Sequence, residues 1–365
     1  MFIKSISFEN YRNLKTDIFF PAKGINVIYG DNAQGKTNLL ECIWLFTGGR
    51  SFRGARENEL VAFGTKYAKI SLCFESEERG QGIEITISGG KRSAVLNDVP
   101  KKQMSQIIGS FCAVVFSPNH LSLIKNGPEE RRNFIDAALC QIKPSYAVTL
   151  SRYKRALNER NALLKDIPKN RQLEDMLDVW DEKLAETGVK ISAERRRYVK
   201  LLSGPAGGFY DGISSGRETL TLEYKSSLTE NGEESPQELI KTMISALEAR
   251  RQEDIMCGYT TVGVHRDDLS VKINDRDARK FGSQGQQRSA VLAMKLAEAY
   301  VIGKERGEQP VILLDDVLSE LDPSRQNYLL NKLEGMQVFI TCCEEISDAG
   351  NIVKIENGKI FSMEE

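Results

Sequence analysis

The sequence predicts an α/β fold that is interrupted by a mainly helical segment. Short β-type runs, separated by turn-forming residues, occupy residues 1–120 and return from about residue 258. Between them, charged segments carry apolar residues at helical spacing, and Pro168 marks a break between two helical arms. The run INVIYG leads through a glycine loop directly into a helix-forming stretch. The order along the chain is therefore α/β, helical insert, α/β.

Length and composition fit a globular protein of two or three domains. The chain has 365 residues, of which 41% are hydrophobic and 28% charged. The stretch MFIKSISFENYRNLK alternates apolar and polar residues and predicts a strand, and no run approaches a membrane span. Seven cysteines without a CxxC pair favour reduced thiols in a cytoplasm, and two histidines argue against a His-rich metal site. The net charge of −1 neither supports nor excludes nucleic acid.

The first glycine loop carries a complete Walker A pattern, G-x-x-x-x-G-K-T. Glycines let the backbone wrap a phosphate chain with its N–H groups, and the start of the following helix adds the positive end of a dipole. We expect Lys36 to reach the β- and γ-phosphates and the Thr37 hydroxyl to hold Mg²⁺. The candidate nucleotide-binding residues are Gly30, Asp31, Asn32, Ala33, Gln34, Gly35, Lys36 and Thr37.

A second element of this chemistry is the stretch QPVILLDDVLSELDPSR. Its apolar run predicts a parallel strand buried on both faces, and ligands bind at the carboxyl ends of such strands. Asp315 is the candidate ligand for Mg²⁺, and Asp316 the candidate catalytic residue that orients or deprotonates an attacking water. Two adjacent acids can also form a solvated turn, but the preceding apolar run and the Walker A pattern favour the metal site.

A third element is the stretch FGSQGQQRSAV, in which small polar residues run into an apolar helix that opens at about Gln287. Such residues commonly cap helices. They can also add donors around a γ-phosphate, through the serine hydroxyl, a glycine N–H and the helix dipole. The candidate residues are Ser283, Gln284, Gly285 and Gln286.

Together, GDNAQGKT, FGSQGQQRSAVLAMKLAE and VILLDDVLSELD resemble the Walker A, signature loop and Walker B/D-loop of ABC-type ATPases. With ISFENYRNL, SFR, FSPNHLSLIKNGPEERRNFID and GVHRDDL, the chain resembles the RecF branch of the SMC/Rad50-like group. This resemblance implies an ABC-type ATPase head, a P-loop NTPase fold formed by residues 1–120 and 258–365. Residues 121–257 would form the helical insert, a short arm (lobe II) instead of a long coiled coil.

The resemblance also implies a function. ATP would join two copies of the chain, with Lys36, Thr37, Asp315 and Asp316 acting in cis and the signature loop acting in trans. The ATP-dependent homodimer would hold double-stranded DNA near a gap or single-strand/double-strand junction and help load recombinase with RecR and RecO, in DNA damage repair, recombination, replication and the SOS response. Hydrolysis would be weak, because Asp316 stands where many ABC ATPases carry a longer glutamate, and the resemblance implies that DNA stimulates it. Arg12 and Arg53 are candidates for adenine contacts, and Ser117 and Asn119 for the Q-loop.

Alternatives from other classes share the nucleotide chemistry. An interpretation as the ATPase subunit of a membrane transporter does not explain FENYRNL or the basic insert. An interpretation as a P-loop kinase gives FGSQGQQR no role. His265 is interpreted as part of a hydrogen-bonded network, without a chemical role. Basic residues crowd the insert, either as solvated helix faces or as a DNA-binding groove: Lys125, Arg131, Arg132, Arg152, Lys154, Arg155, Arg160, Arg195, Arg196 and Arg197.

Overall fold

The computed structural model describes residues 1–227, 235–343 and 350–362. The chain divides into two compact units. The first contains residues 1–121, 205–218 and 288–365, and the second contains residues 122–204 and 219–287. The domain boundaries inferred from the sequence stay a prediction.

Strands and helices are numbered here in chain order. The strands are β1 (Phe2–Glu9), β2 (Asp17–Phe19), β3 (Ile25–Tyr29), β4 (Tyr67–Ser76), β5 (Arg79–Ser88), β6 (Lys91–Leu96), β7 (Val99–Lys101), β8 (Ala113–Phe116), β9 (Leu220–Lys225), β10 (Asp268–Ile273), β11 (Arg276–Asp277), β12 (Val311–Asp315), β13 (Val338–Cys342), β14 (Asn351–Glu356) and β15 (Lys359–Ser362). The α-helices are α1 (Lys36–Leu45), α2 (Ser122–Lys125), α3 (Pro128–Ile142), α4 (Pro144–Asp166), α5 (Leu177–Ser214), α6 (Pro236–Ala249), α7 (Arg251–Cys257), α8 (Ala278–Phe281), α9 (Gln284–Arg306) and α10 (Pro323–Lys332).

The first unit contains two six-stranded sheets that share one hydrophobic core. One sheet is antiparallel, in the order β2-β1-β4-β5-β6-β7. The other has the order β15-β14-β3-β13-β12-β8 and is parallel except for its edge strand β15. All five residues of β12 are buried, as expected for a parallel strand covered on both faces. Because β13 lies between β3 and β12, the carboxyl ends of these three strands meet at one edge of the sheet.

The second unit combines helices with a small antiparallel sheet, in the order β11-β10-β9. Helix α4 ends at Asp166, two residues before Pro168, as the sequence predicts. A reciprocal capping box between Ser235 and Glu238 starts α6. In the described ranges, no helix combines the length and the apolar character that crossing a membrane requires.

The first of the β-type runs predicted from about residue 258 is YTTVGV, and this prediction was wrong, because residues 259–264 form no strand with the described residues. In this segment, backbone N–H groups donate to side-chain oxygens instead of to the carbonyl oxygens of a neighbouring strand. The backbone N–H of Thr260 donates to Asn161 Oδ1, and that of Thr261 donates to Asp254 Oδ1, both at 2.8 Å. Local β propensity is therefore overridden by side-chain acceptors, one nearby in the chain and one 99 positions away.

His265 lies in a hydrogen-bonded network, as predicted from the sequence. Its Nδ1 is 2.7 Å from Tyr153 Oη, and its Nε2 is 3.0 Å from the carbonyl oxygen of Thr260. Burial lowers the pKa of His265 to about 4. The imidazole is therefore neutral at physiological pH and acts as a structural link within the second unit.

Two arginines of the insert are engaged by carboxylates instead of forming a solvated face. Both side chains lie at least nine-tenths buried. Arg195 makes a two-pronged contact with Asp136, at 2.8 and 2.9 Å. Arg131 makes the same kind of contact with Asp268, at 2.7 and 3.0 Å. These cations stabilise the second unit and are not available to bind phosphates.

Arg160 is the most deeply buried cation of this unit. Its side chain is 0% exposed, and its guanidinium donates to Asp181 Oδ1 and to Asp254 Oδ2, both at 2.6 Å. Removing one member of a buried ion cluster leaves uncompensated charge in a medium that solvates it poorly.

We expect Arg160→Ala to lower the free energy of unfolding of this unit by about 3–5 kcal/mol, because two buried carboxylates lose the cation that they share. Urea unfolding followed by circular dichroism would measure the loss. Arg155→Ala, at an exposed position of the same helix, is the matched control. Equal midpoints for the two variants would contradict the stabilising role of Arg160.

Candidate active site

The loop between β3 and α1 has the backbone conformation that its glycines predict. Gly30 (φ 149°) and Gly35 (φ 119°) lie in the region that favours glycine, and Ala33 is left-handed (φ 66°). A Cβ atom on Gly30 would overlap the carbonyl oxygen of Ile355. Alternating conformations of this kind turn successive N–H groups toward one concave surface, which suits an anion.

Lys36 is held against this loop. Its side chain is buried, and Nζ donates to the carbonyl oxygens of Gly30, at 2.5 Å, and Asp31, at 3.1 Å. In the described residues, no side chain caps α1 and its first turn carries no acid. An ammonium group beside an uncapped helix start fits a phosphate chain.

The strand-end aspartate meets the helix of the glycine loop. Thr37 Oγ1 donates to Asp315 Oδ1 at 2.8 Å, and Thr341 Oγ1 donates to the same oxygen at 3.1 Å. Burial raises the pKa of Asp315 above the usual range for aspartate. A hydroxyl and a carboxylate at one point are oxygen ligands of the type that Mg²⁺ prefers, so the residues present fit this ion.

The remaining metal ligands would have to come from water or from the nucleotide. Across the described ranges, no group of three or more His, Cys, Asp or Glu side chains lies close enough to hold a metal ion. Mg²⁺ at nucleotide sites typically uses one or two carboxylates together with phosphate oxygens. The pair formed by Thr37 and Asp315 matches that pattern.

Asp316 follows in a left-handed conformation (φ 52°), and its N–H donates to Thr341 Oγ1 at 2.9 Å. An aspartate tolerates this conformation better than most residues, but it is sparsely populated and often marks functional positions. The catalytic role of Asp316 stays a prediction.

Several residues of the loop are tethered in ways that the sequence did not reveal. Gln34 accepts hydrogen bonds from the backbone of the β14–β15 turn, through its side chain from Asn357 N and through its carbonyl from Gly358 N. Asn13 Nδ2 donates to the carbonyl of Ala33 at 3.0 Å. The only sequence signal for these contacts is the turn-forming Asn-Gly pair, which does not show what the turn supports.

Cys343 also lies at this site, although sequence reasoning did not single it out. Its Sγ is 3.7 Å from Lys36 Nζ and 3.3 Å from Asn32 Oδ1. The cysteine follows the central strand β13, so the sheet order brings it to the loop.

The candidate adenine contacts are both engaged with neighbouring side chains. Arg12 forms a two-pronged ion pair with the fully buried Glu41, at 2.9 and 3.0 Å, and Arg53 donates to Asn38 Oδ1 at 2.8 Å. Their adenine role stays a prediction, as do the Q-loop roles of Ser117 and Asn119. Ser117 N donates to His120 Nδ1 at 3.0 Å.

The signature loop forms a complete helix cap. Helix α9 begins at Gln284, three residues before the predicted start, because Ser283 and Gln286 cap it reciprocally. Ser283 Oγ accepts from Gln286 N at 3.2 Å, and Gln286 Oε1 accepts from Ser283 N at 2.8 Å. Ser283 and Gln284 are exposed, while Gly285 is half-buried.

The predicted site residues thus belong to two units. The Walker A residues and Asp315–Asp316 lie in the first unit, whereas residues 283–286 lie in the second. The structure brings Lys36, Thr37 and Asp315 to one edge of the parallel sheet. The action of the signature loop on a nucleotide stays a prediction.

Comparison with known sequences points to one family. The family model for the RecF/RecN/SMC N terminal domain matches residues 2–358. The DNA replication and repair protein RecF of Ruminiclostridium cellulolyticum is 41% identical over 372 positions, covering 99% of this chain and 100% of that protein. RecF of Agathobacter rectalis is 43% identical over 344 positions, covering 94% of this chain and 92% of that protein.

Solved structures with similar folds belong to the same family or share its fold. A structure of the recombination mediator protein RecF with ATP, described as part of the RecFOR pathway, has 37% identity and a TM-score of 0.94, covering 99% of this chain and 97% of that one. An Smc head domain from Pyrococcus yayanosii has 14% identity and a TM-score of 0.59, covering 100% and 97%, and shows a shared fold. The predicted fold class, an ABC-type ATPase head of the RecF/SMC type, is confirmed.

We expect Gly30→Ala to destabilise the loop by about 1–3 kcal/mol and to weaken ATP binding, because alanine at this φ is strained and its Cβ meets Ile355. Titration with a fluorescent ATP analogue would measure the affinity. Gly24→Ala is the matched control, since a Cβ there has no neighbour within 4 Å. Equal affinities for the two variants would show that the loop tolerates a side chain at Gly30.

Proposed function

This chain belongs to the RecF family of DNA replication and repair proteins, and we propose that it works as an ATP-gated clamp on duplex DNA. Membership makes it an ATPase of the RecF/SMC type. The observation that carries the proposal is the hydrogen bond from Thr37 to Asp315, which joins the glycine loop to the strand-end acids. The proposal further draws on relatives that are RecF proteins over nearly their whole length.

In the proposed mechanism, the loop N–H groups and Lys36 hold the β- and γ-phosphates of ATP. Thr37 and Asp315 would hold Mg²⁺, which would neutralise charge on the phosphate oxygens. Asp316 orients or deprotonates the attacking water. Its short side chain reaches less far than a glutamate, which favours slow hydrolysis.

The site is completed by a second copy of the chain. Ser283 is exposed at the start of α9, where a hydroxyl, the Gly285 N–H and a helix dipole can meet an anion. We assign these groups to the γ-phosphate of ATP held by the partner, with residues 319–322 as the D-loop at the contact. Bound ATP then stabilises the dimer of two ATPase heads, and the rate of hydrolysis sets how long the dimer lasts before it dissociates.

The relatives support the proposed DNA role. The similar ATP-containing structure is of a recombination mediator in the RecFOR pathway. We propose that the dimer grips duplex DNA near a single-strand gap and helps load recombinase with RecR and RecO in the cytoplasm. The full-length matches to RecF proteins disfavour both a transporter ATPase subunit and a P-loop kinase.

The central test is sedimentation of the protein with Mg·ATP, without nucleotide, and with a gapped duplex. A mass that doubles with ATP and a complex with DNA only in its presence are the expected results. A strictly monomeric protein at saturating Mg·ATP and DNA would rule out the clamp.

We expect Lys36→Ala to abolish ATP binding and ATP-dependent dimerisation together. A hydrogen bond to a charged group contributes about 1.5–3 kcal/mol, so the affinity should fall at least tenfold. Nucleotide titration and sedimentation measure the two effects. Lys15→Ala, at an exposed lysine, is the control, and normal nucleotide affinity in Lys36→Ala would refute the role of Lys36.

We expect Ser283→Arg to keep ATP binding and to block dimerisation, because a bulky side chain occupies the loop that meets the partner's phosphate. Loss of the cap alone costs about 1 kcal/mol. Ser283→Asp separates the two effects, since aspartate caps helices well but repels phosphate. Ser151→Arg, at an exposed position, is the control. ATP-induced pairing of both Ser283 variants would exclude action in trans.

A further inference from the structure

A basic cleft in the first unit is not explained by nucleotide binding. It has a volume of about 860 Å³ and lies between the segment that follows α1 and the β5–β6 hairpin. Four cationic side chains line it, together with one acid, Glu57. The cations are Arg50, Arg56, Lys91 and Arg92.

One of the four cations is neutralised and serves to hold the cleft together. Arg92 Nε lies 3.1 Å from Glu57 Oε1, and Arg92 Nη1 donates to the carbonyl of Gly49 at 2.6 Å. Burial, and then the nearby charge of Arg50, lower the pKa of Arg92. The Arg92–Glu57 pair therefore fixes the cleft wall without contributing net charge.

The other three cations keep their charge exposed. Arg50, Arg56 and Lys91 are exposed, and no ion pair joins any of them to a carboxylate in the described parts of the chain. The Glu59 carboxylate accepts from the backbone N–H of Arg56 at 2.8 Å and is not ion-paired with its side chain. In the second unit, by contrast, Arg195 is held by the buried Asp136 and Arg131 by the partly exposed Asp268. The guanidinium and ammonium groups of the three cleft cations therefore face solvent without an ion-pair partner among the described residues.

The remaining lining indicates which polyanion fits. Small or polar residues such as Ser51, Gly54 and Gly90 allow a backbone to approach closely. No aromatic side chain lines the cleft, so it offers no platform for stacking unpaired bases. Its apolar lining is limited to Ala55 and Met104, whereas the core of a protein interface is enriched in aromatic residues.

We propose that this cleft binds backbone phosphates of duplex DNA through Arg50, Arg56 and Lys91. The proposal rests on the function proposed above and names the surface that contacts DNA. Contacts from flexible cations to phosphates position a duplex without reading its sequence. Binding at this cleft is accordingly independent of sequence and sensitive to salt.

The test is the triple variant Arg50→Ala/Arg56→Ala/Lys91→Ala, titrated with fluorescent duplex DNA at several salt concentrations and saturating Mg·ATP. Each neutralised phosphate contributes about 0.9 to the slope of log affinity against log salt. We expect the slope to become shallower by about 2.7 per protomer, because three phosphates are no longer neutralised. Unchanged ATP affinity and ATP-dependent dimerisation show that the variant is folded.

The control removes three exposed lysines of the same unit, as Lys66→Ala/Lys304→Ala/Lys332→Ala, and should leave the slope unchanged. If the cleft variant does not fold, Lys91→Ala alone should lower the slope by about 0.9. A cleft variant that binds duplex with the wild-type slope would overturn the site. The site would also be overturned if the variant bound duplex normally and lost affinity only for another polyanion, poly-L-glutamate. Failure of the wild type to bind duplex would instead overturn the clamp itself.

Discussion

The hydrogen bond between Thr37 and Asp315 depends on the order of strands in the parallel sheet. Because β13 separates β3 from β12, the two elements that carry these residues are only two strand spacings apart, about 10 Å. The threonine of α1 can then reach the aspartate that ends β12. A strand order that placed β3 and β12 at opposite edges of the sheet would separate the phosphate-binding loop from the strand-end acids, so the Thr37–Asp315 contact depends on the two strands lying close together.

In both units, the buried charged side chains discussed above are paired with hydrogen-bonding or oppositely charged groups. Buried acids here have several donors: Asp315 accepts from two hydroxyls, and Glu41 accepts from a guanidinium, a phenol and a hydroxyl. The buried cations Arg160 and Arg195 are likewise held in ion pairs. Desolvation makes an unpartnered charge costly, so the charges left exposed are the ones available to outside ligands.

The residues of the signature loop have a structural role that does not depend on a nucleotide. The capping box formed by Ser283 and Gln286 accounts for the start of α9 without any ligand. A capped helix start still presents N–H groups and a dipole, which a phosphate can meet. The cap uses the N–H groups of Ser283 and Gln286, and the binding role of this loop stays a prediction.

The sequence by itself determined the local elements and the family. The Walker A spacing predicted the loop and helix at Gly30–Thr37, and the apolar run before Asp315 predicted a buried strand, since periodicity and glycine placement are local properties. Tertiary structure decided what meets across the chain: Thr37 and Asp315 are 278 positions apart. It also decided that Arg160 is buried while Arg50 is exposed, and that Thr260 bonds to a side chain instead of a strand. Partner choice depends on distant residues brought together by the fold, which a linear pattern of residue types does not specify.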